Sequence, residues 1–321
     1  MPDARRPRVW VVGAGGLLGR AVTRLAADAE LFAARTVPWS DGEQAAALLS
    51  AELERFGAGL GPDDAWCIVW AAGAGVIATS PDKLAAELVT FEAFVRALAD
   101  RTPPGRGSLF LSSSASVFAG SPAPPFDELT PVHPTSAYAS TKLRQEELAA
   151  SLLAGRARVA VGRFSTLYGP GQRLDKPQGL ISQMCVQAAM NRPISIYVPM
   201  DTLRDYLYVD DAAALVWECV RRLCASDGEG EGVRVLASER ATTIAELVHV
   251  VQNVTHSRVG LTQRIGTAPG HIRDLRLRST RPLDRPSGIV PLPVGVRRTA
   301  DAVLRAHREG TLAAAVAGPL R

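Results

Sequence analysis

Long hydrophobic runs are missing from this chain of 321 residues. No stretch reaches the roughly 18 consecutive apolar residues that a membrane-crossing helix needs. The opening MPDARRPRVWVV has neither an apolar signal core nor a small-residue cleavage site. A cytoplasmic protein with no membrane span is expected. Cysteine is scarce: Cys67, Cys185, Cys219 and Cys224 form no CxxC pair, so reduced and mostly buried thiols are expected rather than a disulfide framework. Histidine is scarce too. The five histidines show no HExxH pattern, and His249 and His256, seven apart on an expected helix, have no third ligand nearby. No metal site is expected. Charge of one sign is not in excess, with 36 basic against 32 acidic residues and a formal charge of +4. That surplus gives no footing for nucleic acid, although it is compatible with an anionic small molecule. The basic stretch 273–285 reads as a solvated or substrate-facing loop.

What is present is enough apolar residue, 47% of the chain, for a full core. Up to about residue 170 it is arranged as short apolar runs separated by longer amphipathic ones. Strands are expected over 8–13, 31–37, 65–72, 108–113 and 158–165, and helices over 16–29, 43–56, 81–100 and 137–153. Apolar strands alternating with helices imply an α/β fold, a doubly wound parallel sheet covered on both faces. Beyond 170 the alternation is irregular. Helices are expected over 179–191, 210–224 and 296–308, and another opens at the capping box Thr243–Glu246. Residues 194–198 read as extended, 225–232 as a polar turn and 257–293 as loop. A nucleotide-binding core over 1–170 and a smaller α/β substrate lobe over 171–321 follow, with segments of the two open to interleaving.

The first strand runs into Gly13-Ala-Gly-Gly16-Leu-Leu-Gly19. Glycine at 13 permits a tight turn, at 16 a close approach of backbone to a pyrophosphate, and at 19 close packing of helix on strand. The helix N-terminus then faces the phosphates with free N–H groups. Dinucleotide binding is the reading. The ten residues 31–40, LFAARTVPWS, hold no acid for a ribose 2′-hydroxyl. Arg35 there, or Arg20 after the last glycine, suits a 2′-phosphate, whereas Asp41 comes late for NAD(H). NADP(H) is favoured over NAD(H).

Tyr138 and Lys142 lie four apart, on one helical face. An ammonium near a phenol favours the phenolate, which would bring the phenol within reach of proton exchange with an alkoxide or ketone near neutral pH. Upstream, the serines 112, 113, 114 and 116 mark the C-terminal end of an expected strand, the edge at which open α/β sheets bind ligands.

Glycine loop, serine-rich strand end and YxxxK, in this order and spacing, resemble the extended short-chain dehydrogenase/reductases, the NAD(P)-dependent epimerase/dehydratase family acting on nucleotide sugars. Residues 163–172, RFSTLYGPGQ, and 204–211, RDYLYVDD, are similar to two later segments of that family, and Trp70-Ala-Ala-Gly73 to its strand end before the third helix. The resemblance runs from about residue 8 to about 250. It implies Tyr138 as catalytic acid/base, Lys142 as holder of the nicotinamide ribose, and Ser114 as the catalytic serine that also meets substrate. It implies cofactor contacts at Gly13, Gly16, Leu17, Leu18 and Gly19, at Arg35, Ala71 and Ala72, and at Ser112, Tyr138, Lys142 and Phe164. Substrate contacts are implied at Ser165, Arg204 and Arg278, with the two arginines toward the nucleotide diphosphate. A homodimer is implied as well.

Three departures matter. Ser165 stands where the family often has asparagine, Phe118 where it often has tyrosine, and Ala115 and Ser116 follow Ser114 where dehydratases carry Asp-Glu. Dehydration is thereby disfavoured. The resemblance implies oxidoreduction at a sugar carbon, C4, of a nucleotide-activated hexose, of the kind met in deoxysugar biosynthesis. A 4-ketoreductase is favoured, with a 4-epimerase holding NAD tightly as the alternative. A dehydratase, a decarboxylase or a non-catalytic dinucleotide-binding protein ranks lower.

Overall fold

The computed structural model describes residues 6–73, 75–77, 79–174, 179–225, 231–256, 260–263, 272–284 and 288–312. In chain order its elements begin β1 (Arg8–Val12), α1 (Leu17–Arg24), β2 (Glu30–Leu31), α2 (Gly42–Gly57), β3 (Ala65–Trp70) and α3 (Pro81–Asp100). Next come β4 (Arg106–Ser114), a 3-10 turn (Ala115–Phe118), α4 (Ala137–Leu152), β5 (Arg158–Phe164) and β6 (Thr166–Tyr168). Then follow α5 (Leu180–Ala189), β7 (Ile194–Ile196), β8 (Leu203–Tyr208), α6 (Val209–Ala225) and β9 (Gly232–Leu236). The last are β10 (Ala241–Thr243), α7 (Ile244–Thr255), β11 (Leu261–Gln263), β12 (Asp274–Leu275) and α8 (Leu292–Arg308).

The chain divides into two compact units that interleave in sequence. One comprises Met1–Val117, His133–Arg163 and Ala213–Arg234, the other Phe118–Val132, Phe164–Ala212 and Val235–Arg321. The first holds the main sheet, ordered β2-β1-β3-β4-β5-β9. The pairs β1·β2, β1·β3 and β3·β4 are parallel. Strand order reverses beside β1, so the crevice for a ligand opens past the C-terminal ends of β1 and β3. Aromatic residues fill the layer between this sheet and its helices. Trp10 meets Phe32, Phe56 and Phe94, and Trp70 meets Phe91 and Phe94, at centroid distances of 4.9–5.9 Å. α3 lays Phe91, Phe94, Val95 and Leu98 into that core, and with the buried Leu84 they form the 3.6-residue stripe expected of an amphipathic helix.

In the second unit β8 is the hub. It pairs in parallel with β6 and β12 and antiparallel with β10. Tyr168, Tyr206 and Tyr208 join Ile181, Met184, Leu247, Val251 and Val296 in its core.

The second strand is shorter than expected. Phe32 still donates to the Val9 carbonyl at 2.8 Å, but the Arg35 N–H turns to the Glu52 carboxylate at 3.2 Å, and residues 32–37 pack as irregular chain. The first helix stops at Arg24 rather than 29, where Leu25 closes the last turn on Ala21. β11 and β12 lie within 257–293, read as loop; other parts of that stretch, and most of the expected turn 225–232, lie outside the described residues. β6, β8, β9 and β10 were not expected as strands. Each is short, or carries charge in its register, and is stabilised by partners distant in sequence.

Candidate active site

The glycine loop forms as the spacing requires. Gly13 sits at φ +88°, and a Cβ there would lie 2.6 Å from the Ala72 nitrogen. A Cβ at Gly19 would run into the Gly13 carbonyl, while Gly15 has open space beside it. The Gly16 N–H closes the turn on the Gly13 carbonyl at 2.9 Å. β1 therefore meets α1 and the chain after β3 by backbone alone, and only glycine fits at 13 and 19. The first turn of α1 has no acidic residue and no side-chain cap, which suits an anion at its N-terminus. Leu18 is buried beneath the loop and Leu17 half-buried, with Ala71 and Ala72 on the facing strand end. These residues fit a dinucleotide pyrophosphate.

Arg35 does not stand alone. Its Nε donates to Glu52 Oε1 at 2.6 Å, and the Glu52 side chain is fully buried while that of Arg35 is 62% exposed. Arg55 pairs with the same carboxylate. Burial by itself would raise the Glu52 carboxyl, but hydrogen bonds from Arg55 and Arg35 hold it below its ordinary value. Asp41 caps α2 by accepting from the Gln44 N–H at 3.0 Å.

The second constellation assembles on α4. Ser136 caps the helix by accepting from the Ala139 N–H at 3.2 Å. The buried face of α4 carries Lys142, Gln145 and Glu146 beside Ala139, Leu148 and Ala149, a polar stripe turned inward. The Lys142 Nζ donates to Gln145 Oε1 at 3.0 Å and lies 6.0 Å from the centroid of the Tyr138 ring. Ser114, the last residue of β4, is hydrogen-bonded to Tyr138, and its Oγ accepts from the Ser116 N–H at 3.2 Å. The neighbouring serines serve the scaffold: Ser112 donates to the Trp70 carbonyl at 2.8 Å, and Ser113 donates to Glu146. Glu146 in turn accepts from Arg163 at 2.7–3.2 Å, with both side chains under a tenth exposed. The buried polar face of α4 is thus clamped to β4 and β5.

The electrostatics correct one expectation. With the chain's own side chains around it, the Tyr138 phenol is pushed up to about 12, by burial first and then by the charge of Glu87, with the Ser114 bond acting the other way. A second charge faces the pair. Glu87 on α3 lies 3.8 Å from the Lys142 Nζ and accepts from the Gly75 N–H at 3.1 Å. Burial pulls the Lys142 ammonium below its ordinary value, against Glu87 and Glu146, which favour its charged form.

Phe164, Ser165, Arg204 and Arg278 belong to the second unit. Phe164 and Ser165 are buried, and the Ser165 N–H bonds the Leu236 carbonyl at 3.0 Å. The Arg204 guanidinium donates to the carbonyls of Leu203 and Ile272 at 2.8 and 2.7 Å. Arg278 is exposed, and its N–H bonds the Phe126 carbonyl at 3.0 Å. All four cysteines are free and buried. Among the described residues no three His, Cys, Asp or Glu cluster as a metal site would, and no helix is long and apolar enough to cross a membrane.

Glu87 and Glu52 are the neighbours of the candidate site that sequence reasoning missed. The signal was available. Each is a charged residue on the apolar stripe of its helix: Glu87 falls between Leu84 and Phe91, and Glu52 between Leu49 and Phe56.

The chain is 27% identical over 175 residues to the dTDP-4-dehydro-6-deoxyglucose reductase of Escherichia coli, covering 52% of each protein. It is 29% identical over 124 residues to the dTDP-L-rhamnose 4-epimerase of Burkholderia thailandensis, 38% of this chain and 33% of that one. The chain spans about half or less of the length of these relatives. Its fold is similar to that of RMD from Pseudomonas aeruginosa complexed with NADPH, with a TM-score of 0.74 at 21% identity over 93% of this chain and 99% of that one. It is equally similar to a Thermotoga maritima UDP-glucose 4-epimerase with UDP-glucose, with a TM-score of 0.75 at 16% identity over 94% and 99%. At these identities the likeness is one of fold. The family model for the NAD dependent epimerase/dehydratase family matches residues 9–231, more than half of the chain, and with its glycine cradle and Tyr138–Lys142 helix the protein belongs to that family.

Proposed function

We propose that this chain catalyses NAD(P)-dependent oxidoreduction at C4 of a nucleotide-activated hexose, in the direction of 4-keto reduction. The observation that carries the reading is Tyr138 held between Ser114 and the Lys142–Glu87 pair at the C-terminal end of β4. When bound, the nicotinamide supplies hydride to the carbonyl carbon. Ser114 would polarise the carbonyl oxygen, and the Tyr138 hydroxyl would give its proton to that oxygen as the charge develops. Lys142 would hold the nicotinamide ribose. Arg204, joined by Arg278, would meet the diphosphate, and Ser165 the sugar.

NADP(H) fits the adenosine end better than NAD(H). Arg35 keeps an exposed guanidinium anchored by a buried carboxylate, and Asp41 is occupied as a helix cap. No carboxyl group follows Ser114 in the 3-10 turn Ala115–Phe118, which speaks against elimination of water. A homodimer and a cytoplasmic location complete the proposal.

The test begins with the dinucleotide released from purified protein, followed by titration with NADPH and NADH and assay on 4-keto nucleotide sugars. Little retained cofactor, a preference for NADPH and turnover of a 4-keto sugar are expected. Tightly retained NAD with interconversion of 4-hydroxy epimers would replace this reading by an epimerase. Tyr138→Phe is expected to lose about 10²–10⁴-fold in turnover while NADPH still binds. Turnover at the wild-type rate in that variant would exclude Tyr138 as the acid.

A further inference from the structure

The Tyr138–Lys142 pair has a third member that neither spacing nor motif announces. Glu87 enters from α3, with its side chain 17% exposed, 3.8 Å from the Lys142 ammonium. Its other oxygen accepts the Gly75 N–H at 3.1 Å. The approach is close enough to restrict the backbone opposite. A Cβ at Gly73 would lie 3.1 Å from Glu87 Oε1 and 3.3 Å from Lys142 Nζ. A Cβ at Gly75 would lie 3.3 Å from Glu87 Oε2 and 3.4 Å from the Tyr138 ring. Carboxylate, ammonium and phenol therefore share one small space bounded by glycines.

The other polar groups around this space are accounted for. On α4, Gln145 accepts from Lys142, and Glu146 is committed to Arg163 and Ser113. On β4, Ser114 bonds the phenol. The Lys142 ammonium and the Glu87 carboxylate face this space with opposite sign, from α4 and α3. An ammonium alone would favour the phenolate and make Tyr138 a base. A carboxylate at this range offsets that field and keeps the proton on oxygen.

We propose that Glu87 is a positioning residue that holds the Lys142 ammonium and keeps Tyr138 in its proton-donating form, setting the site for reduction rather than oxidation of the sugar carbon. The directional half rests on the ketoreductase reading, whereas the effect on the phenol rests on the space it shares with the Glu87–Lys142 pair. A carbonyl receiving hydride needs a proton for its oxygen, which the neutral phenol supplies. The phenolate left behind is stabilised by Lys142 and reprotonated from solvent. Oxidation of a hydroxyl needs the reverse, a phenolate ready at the start.

The experiment is a tyrosinate titration by near-ultraviolet absorbance, taking the difference between wild type and Tyr138→Phe to isolate Tyr138. The same difference is then taken in Glu87→Gln and Glu87→Asp backgrounds. Glutamine keeps an acceptor for Gly75 but removes the charge. It is expected to shift the Tyr138 titration about one pH unit down, a tenfold easier ionisation, and aspartate is expected to restore most of it. An unshifted or upward-shifted titration in Glu87→Gln overturns the proposal. Alongside, the pH profile of 4-keto reduction in Glu87→Gln should fall off at lower pH than in wild type. A shifted titration in a protein that does not reduce 4-keto sugars would sink the ketoreductase reading and leave the effect of Glu87 on the phenol intact. Unshifted titration with active reduction would do the opposite.

Discussion

The two units solve the problem of burying charge in different ways. In the first, buried charges come from helix faces. Lys142 and Glu146 share one face of α4, Glu87 and Glu52 interrupt the apolar stripes of α3 and α2, and each meets an opposite charge in an adjoining element. In the second, the buried or half-buried carboxylates bind backbone. Asp205 accepts from the Ser238 and Arg240 N–H groups at 2.8 and 3.0 Å. Glu128 accepts from the Val235 and Thr280 N–H groups at 2.9 and 2.8 Å. One arrangement joins charges of opposite sign across elements, at Lys142 beside the candidate acid Tyr138. The other uses charge to replace the sheet ladder that short strands cannot extend. The lesson is that a buried acid paired with a base beside a tyrosine reads as chemistry, and a buried acid on backbone N–H groups reads as scaffolding.

The largest effect expected to sharpen this contrast comes from Glu146→Ala. It leaves the buried Arg163 guanidinium without its carboxylate and is expected to cost about 3–5 kcal/mol, read by urea unfolding. Hydrogen exchange should show β4 and α4 opening first. If the second unit opened equally, the contrast would be lost.

Glu128→Ala is the counterpart in the second unit. It removes the acceptor of the Ser279 and Thr280 hydroxyls, at 2.6 and 2.9 Å, together with the two N–H bonds. With the carboxylate only half-buried, roughly 1–2 kcal/mol is expected. The pH dependence adds a signature. Burial would raise this carboxyl, but bonds from Ser279, Val235 and Thr280 hold it below its ordinary 4.5. Its stabilisation is therefore present above about pH 4.5 and lost as pH falls through the lower folded value. Acid melts of Glu128→Ala should be flatter than wild type over that window, and parallel curves would show that the carboxylate does not hold this loop. The smallest effect is Thr243→Ala. It deletes the cap on the Glu246 N–H at 3.1 Å and should cost about 1 kcal/mol by thermal unfolding.

Legibility in the sequence follows the same division. α3 was readable to its ends because Pro81 starts it and an unbroken stripe of Leu84, Phe91, Phe94 and Leu98 carries it to Asp100. β1 and β3, apolar on both faces, and the apolar centre of β4, Leu109–Leu111, were readable because a parallel sheet needs no alternation. β8 was not. Arg204 and Asp205 stand in its first half, and the segment reads as a charged motif until its three partners are seen. Within the candidate site, the placement of Gly13, Gly19, Ser114, Tyr138 and Lys142 was legible because it depends on local turns and on helical spacing. Glu87 was not, because it sits 55 residues before Lys142 and only the packing of α3 against α4 brings it near.

By itself, the sequence determined the parallel α/β core, the tight glycine turn between β1 and α1, and a tyrosine and lysine on one helical face. These rest on interactions between residues a few positions apart, which spacing encodes. Tertiary structure alone decided the sign of the electrostatics at the phenol, the anchoring of Arg35 by Glu52 and the hub role of β8. These arise where distant segments meet: burial first, and then a carboxylate from another helix in a medium that screens charge poorly, push the phenol the other way from what its neighbours in sequence would dictate.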